Sequence, residues 1–96
     1  MSLSVSHYID CSEKEFREFC KDKDLGYINS FHNLMVQIYN QVQRIKDDVV
    51  AEAKKKGEDH EDYDNYKTSL ESLYAKLLKI EHKVFILKEI QESRMI

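Results

Sequence analysis

Two runs of apolar residues, spaced alternately three and four apart, constrain this chain more than anything else in it. The first is Ile28, Phe31, Met35, Ile38, Val42, Ile45 and Val49. The second is Tyr63, Tyr66, Leu70, Leu73, Leu77, Ile80, Val84 and Leu87. A mean period of 3.5 keeps one stripe of a helix turned toward a partner, whereas a strand needs period 2. The runs predict two long helices, over about 25–56 and 60–93. In heptad letters, Ile28, Met35, Val42 and Val49 are a residues, and Phe31, Ile38 and Ile45 are d residues. In the second run Tyr63, Leu70, Leu77 and Val84 are a, and Tyr66, Leu73, Ile80 and Leu87 are d.

Between the runs lies Lys54-Lys55-Lys56-Gly57-Glu58-Asp59-His60-Glu61-Asp62. Lysines suit the carbonyl end of a helix, glycine suits the left-handed residue that ends it, and acids suit the amide end of the next. The reading is a turn at 57–59 with Asp59 as N-cap. In an antiparallel hairpin a residues meet d residues, and paired numbers add to a constant. Val49 with Tyr66, Ile45 with Leu70, Met35 with Ile80 and Ile28 with Leu87 all add to 115. The midpoint, 57.5, falls beside Gly57, so an antiparallel hairpin is predicted.

Composition narrows the alternatives. With two glycines and no proline in 96 residues, the chain lacks the turn punctuation of sandwiches, barrels and doubly wound sheets. The expected fold is all-α. Ser12 and Glu15 have the spacing of a capping box, and Cys11 and Phe16 that of a hydrophobic staple, so a short helix is expected over about 13–22. Its Phe16 and Phe19 are suited to cover the apolar surplus at the open end of the hairpin, giving three helices there and a bare two-helix stalk at the other end. Residues 1–11 alternate apolar and polar (Leu3, Val5 and Ile9 against Ser2, Ser4 and Ser6), which reads as an extended or flexible arm before a single helical domain at 12–96. A two-helix stalk leaves its seam half wet, so completion to a four-helix or larger bundle by oligomerisation is expected.

Catalytic signatures are missing. His7, His32, His60 and His82 are scattered, and no HExxH, ExxH, CxxC or glycine-rich phosphate loop occurs. Glu58, Asp59, His60, Glu61 and Asp62 can hold a divalent cation only loosely, and helix capping accounts for them. No cofactor is expected. Cys11 and Cys20 are too few for a disulfide framework and read as reduced thiols of a cytoplasmic protein. No apolar run approaches the about 18 residues of a membrane span.

Lys76, Lys79 and Lys83 fall along one helix face, with Lys67 and Lys88 nearby, and such a stripe can track phosphates. Glu71, Glu81 and a formal net charge of −3 argue against nucleic acid, so a nucleic-acid-binding hairpin is the alternative reading. The leading one is a non-catalytic helical adaptor, assembly subunit or small inhibitor that binds another protein or itself, as a homodimer. Six tyrosines and four phenylalanines, several outside the seams, suit helix–helix docking. The expected contact residues are Tyr39, Tyr74, Leu78 and Phe85, with Lys76 and Lys83 at the rim. A third reading is a metal-dependent enzyme assembled at a dimer interface around His60.

Overall fold

Two of the helices begin at side-chain caps that the sequence carries. The computed structural model describes residues 5–57, 59 and 61–95, and every element among them is helical. The order is α1 (Val5–Asp10), α2 (Glu13–Lys21), α3 (Leu25–Lys56) and α4 (Tyr63–Arg94). Ser12 caps α2, its side chain accepting from the Glu15 amide at 3.1 Å. Asp24 caps α3 in the same way, accepting from the Tyr27 amide at 2.8 Å. Such caps satisfy amides that a helix start leaves without partners. Gly57 ends α3 with φ 81°, in the left-handed region that a side chain disfavours.

The long helices α3 and α4 pack antiparallel, and the molecule measures 54 × 24 × 20 Å. Their register differs from the one expected. Gln91 Nε2 donates to Asn29 Oδ1 at 2.7 Å, Lys46 Nζ lies 5.6 Å from the Tyr74 ring centre, and Lys56 Nζ lies 5.8 Å from that of Tyr66. Those residue numbers add to 120, 120 and 122, so the pairing sits at about 120–122, five to seven residues beyond 115. The connection accordingly runs from Gly57 to Asp62 rather than over 57–59, and α4 starts at Tyr63 with Asp62, not Asp59, at its N-cap.

Burial is graded along the hairpin. Ile28, Phe31, Met35 and Val42 of α3 join Leu77, Ile80, Ile86 and Leu87 of α4 in one core with Ile9, Phe16 and Cys20. Toward the connection Val49, Tyr63, Tyr66, Leu70 and Leu73 are only half-buried, and Ile45 is 51% exposed. A straight helix drifts against a 3.5 repeat. By the middle of α3 the inward position has passed from Ile45 to Lys46, whose stem is covered and whose ammonium meets Tyr74.

The amino-terminal arm is the second correction. Residues 5–10 form α1, while the expectation for Met1–Ser4 lies outside the described residues. Val5 and Ile9, four residues apart, fit an alternating pattern but are also i and i+4 on a helix, and the helix wins because α4 holds it. Ile9 is buried, its carbonyl accepts from Lys83 Nζ at 3.1 Å, and Asp10 Oδ1 lies 3.4 Å from Lys79 Nζ. Six residues do not sustain a helix alone. At the end of α2, Arg94 repeats the device, donating to the Cys20 carbonyl at 3.1 Å, to that of Lys21 at 3.3 Å, and to that of Lys23. Thus two cations of α4 satisfy the carbonyl ends of α1 and α2. An aromatic cluster completes the attachment: Tyr8 to Phe19 at 4.1 Å, and Phe16 and Phe19 each 5.7 Å from Phe31.

Candidate functional site

Because α1 and α2 occupy one side of the hairpin, the opposite side stays open. On α4, Tyr74, Leu78 and Phe85 recur at intervals of four and seven, within about 40° of one another around the helix. They are 49%, 67% and 62% exposed, large apolar groups in a row on the side away from α1 and α2. Beside them, a shallow open depression of about 120 Å³ runs between the long helices, lined by Val36 and Tyr39 of α3 and by Glu81 and Val84 of α4. Tyr39 is half-buried there, and Lys46 bridges toward Tyr74 at the stalk end.

The structure brings Tyr39, Tyr74, Leu78 and Phe85 to one face but removes both expected rim lysines from it. Lys76 stays exposed, yet two residues along a helix place it about 160° round from Tyr74. Lys83 is not a rim residue at all. It is 3% exposed, bonded to the Ile9 carbonyl and set 5.7 Å from the Phe16 ring centre. Of the lysine stripe, Lys83 is inside and Lys79, half exposed, lies 3.4 Å from Asp10. Both changes have one cause, since a helical α1 docks where a flexible arm left the lysines in solvent. Sequence reasoning missed Val36, Glu81 and Val84. Val84 was absorbed into the seam, while Val36 and Glu81 signal themselves only once the uncovered side is known.

Other chemistry is sparse. Cys20 is fully buried and its thiol is pushed up to about 11 by burial, with the Arg94 charge opposing. Burial also raises Cys11, against the Lys83 charge, and its Sγ donates to the Tyr8 carbonyl at 3.4 Å. Neither thiol has the lowered pKa that makes a nucleophile. No group of three or more metal-ligating side chains is present among the described residues, and His60 and Glu58 of the acidic turn lie outside them. No helix among the described residues is long and apolar enough to cross a membrane.

The raised Cys20 thiol makes stability depend on alkaline pH. Its folded pKa, about 11, lies above the ordinary 9.0, so the folded state keeps its proton longer. Its contribution is whole below pH 9 and falls by about 1.4 kcal/mol per unit as pH rises from there toward 11. Urea unfolding at pH 7.5 and 10 should show the advantage of the wild type over Cys20→Ala shrinking by about 1.4 kcal/mol. A constant difference would disprove the assignment.

Comparison of the chain with protein-family models, with curated proteins and with solved structures finds no match to any of them.

Proposed function

We propose that this protein is a non-catalytic interaction module, an adaptor, assembly subunit or small inhibitor, that docks a helical protein surface through the open side of its hairpin. The observation carrying this reading is the row Tyr74, Leu78 and Phe85, exposed on the side that α1 and α2 leave free and adjoining the Tyr39 depression. Grouped aromatic and aliphatic side chains on a rigid helix are the usual anchors of an interface. Exposed apolar groups in one patch differ from those scattered singly, which need no explanation. The half-wet stalk gives a second reason, because a coiled-coil-type partner would cover Val49, Leu70 and Leu73 more fully and complete a larger bundle. On this reading the two free thiols suit work in the cytoplasm, where thiols stay reduced.

The test is retrieval of the tagged protein from its own cells, followed by native mass spectrometry of the intact complex. Wild type should come out bound to a second polypeptide chain, either a copy or a different protein. Tyr74→Ala combined with Phe85→Ala should weaken that association by at least about tenfold. Circular dichroism should be unchanged, since both residues lie outside the core. The same complex, equally populated with the double variant, would eliminate this face.

A further inference from the structure

Taking the open face as the docking surface, we infer that its occupant is a second copy of this chain, laid antiparallel so that α4 meets α4 about a two-fold axis between Lys79 and Ile80. The inference rests on the proposed function and names the partner of the same face. The open side of α4 is a seam in its own right. Lys67, Glu71, Tyr74, Leu78, Glu81, Phe85, Lys88 and Glu92 follow one another at intervals of four and three, the b and e positions of the heptads whose a and d positions face α3. All eight lie within the continuous helix Tyr63–Arg94 and all are exposed.

Antiparallel seams pair residues whose numbers add to a constant, and the heptad allows such constants only every seven. At 159 all eight residues find partners. Lys67 meets the second copy's Glu92, Glu71 meets its Lys88, Tyr74 meets its Phe85, and Leu78 meets its Glu81. Both charged pairings join opposite signs, each occurs twice in a dimer, and the aromatic rings meet each other. At 152 Glu71 instead meets Glu81, and at 173 Glu81 meets Glu92. At 166 Tyr74 faces Glu92 and Leu78 faces Lys88. A parallel pair is worse, because Lys67, Glu71, Glu81, Lys88 and Glu92 each oppose themselves. Charge complementarity across an interface sets orientation and excludes wrong pairings in this way.

The first long helix agrees independently. Cross-helix contacts whose numbers add to 120–122 put the level of 79.5 on α4 beside 40.5–42.5 on α3. Beside it on α3, the half-buried residues Val36, Tyr39, Gln43 and Lys46 pair Val36 with the second copy's Lys46, and Tyr39 with its Gln43, about a centre at 41. One axis therefore serves both helices, and two hairpins stack face to face as a four-helix bundle with α1 and α2 on the outer sides.

The centre of this interface carries Glu81 from both copies, offset by only about 5 Å along the axis. That like-charge pair opposes association, so Glu81→Gln should tighten it.

Sedimentation equilibrium of the full chain across micromolar to millimolar concentrations tests the inference. Wild type should be a reversible dimer. Glu71→Lys or Lys88→Glu alone should weaken it by about tenfold, each placing two like-charge pairs in the interface. The double reversal, Glu71→Lys with Lys88→Glu, should restore the dimer to within about threefold of wild type. Within one helix these residues are 17 apart, about 25 Å, so the rescue can act only between copies. Glu81→Gln should dimerise more tightly than wild type. A chain that stays monomeric at every concentration overturns the second copy as occupant while leaving the docking face for a different protein. A dimer indifferent to the reversals overturns the antiparallel register. A dimer that also ignores Tyr74→Ala with Phe85→Ala overturns the docking face itself.

Discussion

Replacing Lys83 by alanine is expected to lower the unfolding free energy by about 2–4 kcal/mol, a large effect for a lysine. Two losses combine. The Ile9 carbonyl, now bonded to Nζ at 3.1 Å, would be a buried acceptor without a donor, at about 1–3 kcal/mol. The stem that fills space beside Phe16 would also disappear. Removing a buried ammonium relieves its desolvation, which works the other way. The carbonyl end of α1 carries the negative end of the helix dipole, however, and offsets part of that cost in the wild type. Lys83→Met separates the contributions by restoring the stem but not the donor. Denaturant unfolding should rank the proteins wild type, methionine, alanine. Hydrogen exchange should show α1 losing protection before the α3–α4 core does. Equal stability of wild type and Lys83→Met would mean that the bond to Ile9 contributes nothing.

What the sequence disclosed, and what it hid, follows from the length over which each signal is written. The two long helices were legible because apolar residues recur at heptad spacing over 28–49 and 63–87. Their antiparallel pairing was legible too, yet its register was not. The addition rule has a solution every seven residues, and the stop signal at Gly57 selected 115. The start of α4 was ambiguous, because Asp59, Glu61 and Asp62 are all suited to the amide end of a helix. The structure places the start at Tyr63, and the cross-helix contacts add to 120–122 rather than 115. The helix α1 was illegible for a different reason. Val5 and Ile9 fit both period 2 and i, i+4, and only Lys83, Lys79 and the pocket around Phe19 decide between them. At the candidate site, the exposure of Tyr74, Leu78 and Phe85 was legible because they are large apolar groups outside a seam. Lys83 is not a rim residue because α1 covers its side of α4, while Lys76 stays exposed and lies off the Tyr74 side by helix geometry alone.

Phe16→Ala is the substitution expected to cost most, about 3–5 kcal/mol. Phe16 is fully buried, 5.7 Å from the Phe31 ring centre and beneath the Lys83 ammonium, so its loss opens a cavity where α2 meets both long helices. Nine residues of α2 are too few to stay helical undocked. The pairs Arg17–Glu89 at 2.8 Å and His82–Glu13 at 3.5 Å are exposed and contribute too little to hold the helix in place. The melting temperature should fall by at least about 12 °C, while Phe16→Leu, closer in volume, should recover most of the loss. A cost below 1 kcal/mol would show that α2 is not docked through this ring. The consequence reaches the docking face as well. With α2 and α1 released, Ile86 of α4, buried but outside the a and d positions that face α3, would open a second apolar surface on the side they now cover. Wild type offers one sticky side and should stop at a defined assembly. Phe16→Ala offers two and should broaden into larger species as concentration rises. The amino-terminal helices thus do for one side of the hairpin what the proposed partner would do for the other, and one-sided cover is what a specific association would require.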